Sequence, residues 1–409
     1  MTAARRSLLL AAVVAAAAIV CASCAATPTA KPSPTSSPSD TTTPTPDAAG
    51  LSPAEQAVSS MSLRERAASV VMGHIPTTDA AALRSYMEST GAGGFLLMGA
   101  NIPEDEAALE EITASLTVDP AQPPLIAIDQ EGGDVSRLPW DDLASPLELQ
   151  QADPATVEAA YAGRSALVRQ AGIPVNFGIV ADVTADPNSF IHRRVLGTTP
   201  DMAAAHVAAA VNGEKGNVFS TLKHFPGHGA APGDSHSSIP STTMPLDQWR
   251  ATDALPFEAG VDAGAELLMF GHLAYISVDP APASLSPEWH RIARDELGFD
   301  GVTITDDLGM LEGSGLPEYA DPVANAVNAL AAGNDMLLTV VSSTPDTAPQ
   351  IVDGIVAAVE SGAVPAERLE EAATRVMELR LAVAEAGDGE LPCTTCADPA
   401  EWLSRQRSR

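Results

Sequence analysis

The chain has 409 residues, with 22 Lys and Arg against 53 Asp and Glu, which gives a formal net charge of −31 at pH 7. An excess of negative charge this large argues against nucleic acid or an anionic bilayer as a binding partner, since both repel acidic surfaces. After the first fifty residues about 360 remain, which is long for one domain but suits a (β/α)8 barrel.

The first 24 residues have the pattern of an export signal. Arg5 and Arg6 precede an apolar run of thirteen residues, 8–20, which is shorter than the roughly 20 residues that a membrane-spanning helix needs. The sequence CASC follows and resembles the lipidation site of bacterial lipoproteins, with Cys24 as the lipidated residue. We therefore expect an exported protein, anchored by lipid to the outer face of the cell membrane. Cys21 stands where Leu or Val is usual, so an ordinary secreted protein is the alternative.

Two further segments flank the main part of the chain. Residues 25–50 are almost entirely Thr, Pro, Ser and Ala, and such a composition predicts a disordered linker, which would reach roughly 80 Å if extended. Residues 388–409 form a C-terminal tail that carries Cys393 and Cys396. Once Cys21 and Cys24 are set aside with the export signal, no second CxxC pair remains, so a local disulfide is expected there rather than half of a zinc site.

Short apolar segments alternate with amphipathic helical patterns throughout residues 51–387. Helical examples are 79–90 and 104–116. This alternation predicts a parallel sheet, and eight repeats predict its closure into an α/β fold of the (β/α)8 barrel type. A doubly wound open sheet is the alternative, but the Gly-rich nucleotide loop that usually accompanies it is not found. The predicted strands are 68–75, 93–99, 124–130, 174–183, 218–225, 265–272, 301–307 and 334–341.

Polar residues cluster at the C-terminal ends of these predicted strands, whereas the strand interiors are almost wholly apolar. In barrel enzymes the catalytic groups lie at this end of the strands. The clustering therefore predicts one polar site on one rim of the barrel. The residues concerned are Asp129, Gln130, Glu131, Asp182, Lys223, His224, His272, Asp306 and Asp307.

The segment KHFPGHGAAPGDSH, residues 223–236, contains three of the eight histidines of the chain. A metal site is one interpretation, but zinc sites prefer ligands on rigid elements, and no HExxH or similar spacing is present. A rigid turn is a second interpretation, in which Gly and Pro set the backbone and His228 satisfies loop carbonyls. We expect this bracing role for His228.

Acid–base chemistry is the third interpretation of the same segment. Asp234 and His236 are two residues apart, so the carboxylate can accept a hydrogen bond from the imidazole and fix its tautomer. A second carboxylate, Asp306, ends the seventh predicted strand in the sequence ITDDLGM. A carboxylate nucleophile and a separate proton donor are the minimum for retaining glycoside hydrolysis.

KHFPGHG followed by DSH, together with DQEGG and TDDLGM, resembles the single-barrel bacterial β-N-acetylglucosaminidases of glycoside hydrolase family 3. The resemblance covers nearly all of residues 51–387, with the motifs in the same order and at matching spacing. It implies an exo-acting, retaining enzyme that releases terminal GlcNAc from cell-wall or related glycans by double displacement. No metal or organic cofactor is implied. We expect a monomer whose partner is a GlcNAc-containing glycan and whose membrane contact is only through its lipid anchor.

The resemblance also assigns roles to individual residues. Asp306 matches the nucleophile, and His236 matches the general acid/base with Asp234 as its partner. Asp307 is expected to be structural, because its side chain alternates away from that of Asp306. Five further positions match residues that contact the sugar: Asp129, Arg137, Arg194, Lys223 and His224.

The chain departs from the family pattern at three places near these residues. Ala230 and Ala231 follow GHG where the family commonly has Asp and Thr, and Asp134 stands where the family commonly has the Arg of GGRV. The segment around Arg194, residues 191–197, reads IHRRVLG in place of GDRSFG. The first two departures alter the rim of the site, and the third bears on the match of Arg194.

Two other functions compete with the hexosaminidase interpretation. A β-glucosidase or β-xylosidase of the same family is one, but the larger glucosidases usually take their acid/base from a second domain, which this chain lacks. A catalytically silent sugar-binding lipoprotein is the other. The presence of Asp306, Asp234 and His236 together argues against it, because binding alone needs neither a nucleophile nor a proton shuttle.

Overall fold

The computed structural model of the protein describes residues 50–387 and 389–391. Among these residues no helix combines the length and the apolar character needed to cross a membrane. The export signal with Cys24, nearly all of the linker and the pair Cys393 and Cys396 lie outside the described residues. The lipid anchor and the terminal disulfide therefore stay predictions.

Eight parallel strands form the central sheet, and each falls within one of the eight segments predicted from the sequence. The strands are β1 (Val71–Gly73), β2 (Gly94–Leu97), β3 (Leu125–Ile128), β4 (Val175–Val180), β5 (Phe219–Phe225), β7 (Leu267–Phe270), β9 (Val302–Thr305) and β10 (Leu337–Leu338). Their order in the sheet is β10-β1-β2-β3-β4-β5-β7-β9, and a bridge between Ile304 and Met336 joins its two ends into a barrel. The predicted (β/α)8 barrel is confirmed.

A second sheet of two very short strands lies in the loops that follow the barrel strands. It consists of β6 (Ser241–Thr242) and β8 (Ala274–Tyr275), which pair in parallel. The backbone N–H of Ala274 donates to the carbonyl of Pro240, and that of Ile276 donates to Thr242. This sheet joins the loop after β5 to the loop after β7.

Helices connect the strands, and most of them begin at a residue whose side chain caps N-terminal N–H groups. Ser52 and Ser62 form capping boxes with Glu55 and Glu65, and Asp79 caps the helix that follows it. Many acidic residues thus serve as helix caps. The helices are α1 (Pro53–Ser60), α2 (Leu63–Ser69), α3 (Ala80–Thr90), α4 (Glu106–Leu116), α5 (Pro146–Leu149), α6 (Pro154–Gln170), α7 (Pro200–Glu214), α8 (Leu246–Ala251), α9 (Ala254–Asp262), α10 (Pro287–Arg291), α11 (Gly309–Gly313), α12 (Pro322–Ala332), α13 (Thr347–Glu360) and α14 (Ala366–Ala386).

Alternating side chains of the strands divide the core into an inner and an outer part. In β3, Leu125 and Ala127 belong to the inner cluster, whereas Ile126 and Ile128 pack with the surrounding helices. Because side chains fill the barrel, a binding site has room only at one end of it. The inner cluster also contains Met72, Leu96, Val175, Phe177, Phe219, Leu267, Met269, Val302, Ile304, Met336 and Leu338.

Candidate active site

A cleft with a volume of about 160 Å³ opens at the C-terminal ends of the barrel strands. Side chains of the inner core, among them Leu96, Phe177 and Met269, form its floor. The family resemblance gives catalytic or sugar-binding roles to eight residues, and all of them but Asp234 line this cleft. The seven are Asp129, Arg137, Arg194, Lys223, His224, His236 and Asp306.

Asp306 follows β9 and lies within the cleft. Its Oδ1 accepts a hydrogen bond of 2.8 Å from the backbone N–H of Asp307. Burial alone would raise the pKa of Asp306, but its surroundings, which include the backbone N–H of Asp307 and the ammonium group of Lys223, outweigh this effect, and the pKa lies below its ordinary value. Asp306 is therefore a carboxylate at neutral pH, the form in which it can act as a nucleophile.

Asp307 has different partners. Its Oδ1 accepts from the backbone N–H groups of Gly309 and Val340, at 3.0 and 2.8 Å, and its Oδ2 accepts from Val341 at 2.8 Å. Burial raises its pKa to about 6. The side chain ties the start of α11 to the segment after β10, which agrees with the structural role expected for it.

Five charged side chains form a connected network on the other side of the cleft. Lys223 Nζ contacts Asp129 Oδ1 at 2.8 Å and Glu131 Oε1 at 2.7 Å. Arg194 binds the same Glu131 through two hydrogen bonds, of 2.9 and 2.7 Å, and Arg137 lies 3.5 Å from Asp129. Burial by itself would raise the pKa of Glu131, but Lys223 and Arg194 lower it to about 2. The network holds its cations and carboxylates in fixed positions around the space for a ligand.

His224 links this network to a buried carboxylate behind it. Its Nδ1 lies 2.8 Å from Asp182 Oδ2, and its Nε2 lies 3.3 Å from Arg194 Nη2. Because the carboxylate accepts and the guanidinium donates, these contacts assign the proton to Nδ1 of a neutral ring. Burial, together with Arg194, keeps the pKa of His224 well below its ordinary value, which agrees with that assignment.

His228 does not have the bracing role expected from the sequence. Its backbone N–H donates a hydrogen bond of 2.5 Å to Asp182 Oδ1, but neither ring nitrogen has a hydrogen-bond partner among the described residues. The ring therefore satisfies no loop carbonyl, and that expectation is wrong.

Two aromatic side chains support the turn at its carbonyls instead. Trp249 Nε1 donates to the carbonyl of Pro226, and the hydroxyl of Tyr275 donates to that of Gly227, both at 2.7 Å. Gly227 has a φ of 127°, which other residues rarely adopt. The turn therefore needs glycine here, as the sequence indicated.

The spacing of Asp234 and His236 predicts a contact that the structure contains. Asp234 Oδ1 accepts from His236 Nδ1 at 2.6 Å and from its backbone N–H at 3.0 Å. The side chain of His236 is 62% exposed and that of Asp234 is 50% exposed. Partial burial alone would raise the pKa of Asp234, but the hydrogen bonds from His236 lower it. The pair thus lies on an exposed loop and presents only His236 to the cleft.

Sequence reasoning found the rim residues but not the supporting role of three of them. Asp182 orients His224, and Glu131 holds the two basic residues Lys223 and Arg194. Gln130 Oε1 accepts the backbone N–H groups of residues 137 and 138 and so shapes the loop that carries Arg137. Their position directly after β3 and β4 was the available signal, but a sequence does not show which strand-end residues face the cleft and which lie behind it.

His272 lies behind the rim of the cleft. His272 is fully buried, with Nδ1 2.7 Å from Ser284 Oγ and Nε2 2.8 Å from the carbonyl oxygen of Asp307. It therefore supports the strand ends from behind. Within residues 50–387 and 389–391, no group of three or more His, Cys, Asp or Glu side chains is arranged to hold a metal ion.

The sequence profile of the glycosyl hydrolase family 3 N-terminal domain matches residues 62–379, most of the chain. The chain belongs to this family. A β-hexosaminidase of Stenotrophomonas maltophilia is 34% identical over 284 residues, which are 66% of this chain and 83% of that protein.

Solved structures of family 3 show the same barrel. A family 3 β-N-acetylglucosaminidase from a Paenibacillus species is 28% identical, with a TM-score of 0.73 over 84% of this chain and 68% of that one. A β-N-acetylhexosaminidase from Beutenbergia cavernae is also 28% identical, with a TM-score of 0.68 over 78% of this chain and 98% of that one.

Two of the departures from the family 3 pattern meet in the structure. Asp134 and Arg193 form a two-point ion pair, with Arg193 Nε 2.6 Å from Oδ2 and Nη2 3.0 Å from Oδ1. The match of Arg194 to the family arginine stays a prediction.

Proposed function

We propose that the protein is an exo-acting, retaining β-N-acetylglucosaminidase, a β-N-acetylhexosaminidase that releases terminal GlcNAc from cell-wall or related glycans. One observation carries the proposal. A partly buried carboxylate, Asp306, and an exposed imidazole with its own carboxylate partner, His236, line the same cleft. Double displacement needs two separate groups of this kind, because they act on opposite ends of the bond that breaks.

In the first step a carboxylate oxygen of Asp306 attacks the anomeric carbon of the terminal sugar. The bond from that carbon to the leaving oxygen breaks, and the leaving oxygen takes a proton from His236. A covalent glycosyl ester on Asp306 results. The hydrogen bond of His236 Nδ1 to Asp234 leaves Nε2 as the nitrogen that exchanges the proton.

The second step reverses the roles. His236, now neutral, accepts a proton from water, and the oxygen of that water attacks the anomeric carbon. The ester bond breaks, Asp306 returns to its carboxylate form, and the sugar leaves with its original anomeric configuration. The carboxylate of Asp234 stabilises the imidazolium that is present before the first step and after the second.

The charged network would hold the sugar during both steps. Asp129 can accept hydrogen bonds from sugar hydroxyls, while Arg137, Arg194 and Lys223 can donate to them. Each of the three basic side chains is already fixed by a carboxylate partner. Binding therefore requires little reordering of the site, which favours catalysis by positioning.

The choice of GlcNAc over glucose or xylose rests on two supports. The relative from Stenotrophomonas maltophilia and the structures from Paenibacillus and Beutenbergia cavernae are hexosaminidases by name. The chain also supplies its acid/base candidate from its own loop, with Asp234 and His236 in contact.

The test compares kcat/KM of the protein on aryl β-GlcNAc, aryl β-glucoside and aryl β-xyloside. We expect the β-GlcNAc substrate to be preferred and the released sugar to be the β-anomer at first, as proton NMR can follow. An Asp306→Asn preparation serves as the control for contaminating hydrolases. Preference for the glucoside or xyloside would favour the other activity of the family, and binding without hydrolysis of any of them would indicate a silent sugar-binding protein.

We also propose that the protein is exported and attached to the outer face of the cell membrane through a lipid on Cys24. The two arginines, the short apolar run 8–20 and the CASC sequence support this. Cys24→Ala should release the protein into the medium of a host that makes lipoproteins, whereas the matched variant Cys21→Ala should stay with the membrane. Retention of Cys24→Ala in the membrane would contradict the proposal.

A further inference from the structure

His228 lines the cleft, and its side chain is left without a hydrogen bond. The residue is 2% exposed, and both ring nitrogens are buried without a partner among the described residues. Burying a polar group in this way costs free energy unless a partner is found. The ring therefore has an unused hydrogen-bond donor and an unused acceptor at the wall of the cleft.

The other histidines show that this arrangement is unusual for the chain. All eight lie within the described residues, and six of them are buried. Apart from His228, every buried histidine has a hydrogen-bond contact at one ring nitrogen or at both. These five are His74, His206, His224, His272 and His290.

The His228 ring is also held in place by its surroundings. Its backbone N–H is fixed on Asp182, and its ring packs edge-on against Phe190 at 4.6 Å and against His224 at 6.0 Å between centroids. Phe190 is 36% exposed and lines the cleft as well. The unpartnered ring thus lies between an exposed aromatic residue and a proposed sugar-binding residue.

We propose that His228 is a further substrate-binding residue, whose ring forms a hydrogen bond with a hydroxyl group of the terminal sugar in the cleft. Burial keeps the pKa of His228 below its ordinary value, so the ring is neutral at pH 7. A neutral imidazole has one nitrogen that donates and one that accepts, and a sugar hydroxyl group can pair with either of them. Phe190 packs against the ring and shields this hydrogen bond from water. The sugar as the ligand rests on the proposed function.

Two variants test the proposal in the full chain. His228→Phe keeps an aromatic ring of similar shape against Phe190 and removes both nitrogens. We expect it to weaken GlcNAc binding about three- to tenfold, as measured by calorimetry, with an unchanged or higher Tm in the absence of sugar, because an unpartnered polar group is removed. His206→Phe is the matched control, since both nitrogens of His206 contact backbone carbonyls. It should lower Tm and leave GlcNAc binding unchanged.

A measurement on the wild-type protein does not depend on how the variants fold. The imidazole nitrogens of His228, assigned by comparison with His228→Phe, should shift in ¹⁵N NMR spectra when GlcNAc is added. Unshifted His228 nitrogens at saturation with GlcNAc and with glucose, or equal GlcNAc affinity in His228→Phe, would overturn the inference. A shift caused by glucose with no hydrolysis of aryl β-GlcNAc would support the role of His228 and count against the proposed function alone.

Discussion

The backbone N–H of Asp307 donates a hydrogen bond of 2.8 Å to Oδ1 of Asp306. The Asp307 carboxylate, in contrast, is occupied by three backbone N–H groups from other segments. Two adjacent carboxylates thus have separate tasks. One is available to a substrate, and the other holds the strand ends together.

Substitution should separate these tasks. Asp306→Ala should lower kcat by several orders of magnitude and leave the far-UV spectrum and Tm nearly unchanged, because the side chain contributes chemistry more than packing. Asp307→Ala should lower the free energy of unfolding by about 3 kcal/mol, since it leaves buried N–H groups without their acceptor. Covalent labelling by a fluorosugar should be lost in Asp306→Ala only. Loss of labelling in Asp307→Ala alone would reverse the assignment.

Loss of His236 should slow hydrolysis more when the leaving group forms a less stable anion. Aryl groups that form stable anions depart without a proton, so His236→Ala should slow their release little. Sugar and alkyl leaving groups need the proton, and their release should slow by about 10²- to 10⁴-fold. Asp234→Asn should fall between, because the imidazole stays but loses the acceptor of its Nδ1–H.

The measurement is the first-step rate across a series of leaving groups for the wild type and both variants. Azide should also restore part of the second step in His236→Ala, because it attacks without a base. The logarithm of this rate is plotted against the pKa of the leaving group. An equal slope for all three proteins would assign the loop a role other than proton transfer.

Glu214, at the end of α7, should make stability depend on pH. Burial raises its pKa to about 8, from an ordinary 4.5. The folded protein holds this proton more tightly than the unfolded chain, so the stabilising contribution is complete below about pH 4.5 and is lost as pH rises through 8. We expect the free energy of unfolding to fall by about 1.4 kcal/mol per pH unit as the pH approaches 8.

Glu214→Gln should abolish that slope, because the amide has the shape of the protonated side chain and does not titrate. Asp253→Asn is the control. Burial raises the pKa of Asp253 to about 6, so its removal should leave the slope between pH 7 and 8 intact. Urea unfolding at several pH values gives the slopes, and an equal slope in Glu214→Gln would contradict the prediction.

The ion pair of Asp134 and Arg193 should tolerate exchange of its charges. Asp134→Arg and Arg193→Asp each place like charges together next to Arg194, so each should lower kcat/KM about two- to fivefold. The ion pair is exposed, and exposed ion pairs contribute little, which sets this modest size. The double variant should recover most of the loss in a double-mutant cycle. Additive losses would show that the two side chains do not act as a pair.

The barrel was predictable because its strands are apolar segments at regular intervals, and each of the eight was found. The strands β6 and β8 were not, since two residues carry no periodic pattern. The need for glycine at position 132 was not predictable either. A Cβ there would lie 2.2 Å from Nη2 of Arg164, a contact that no local spacing reveals.

The candidate site also contains some contacts that the sequence predicts and others that it does not. The contact of Asp234 with His236 is local and follows from a spacing of two residues. The contact of Glu131 with Arg194 joins residues 63 apart, and it exists only because β3 and β4 are neighbours in the barrel. The expectation for His228 was wrong for a related reason, since the loop carbonyls that it was expected to satisfy are bound by Trp249 and Tyr275 from other elements.

The groups proposed to bind the terminal sugar are locked into the barrel, whereas His236 lies on an exposed loop after β5 and carries its carboxylate partner with it. The identity of the sugar that is removed and the identity of the molecule it is removed from are therefore encoded in different parts of the chain. Changes in residues 229–238 can alter which leaving groups are accepted and leave the nucleophile and the network around Glu131 undisturbed. Related enzymes could thus diverge in their natural substrates through one loop, on a barrel that stays the same.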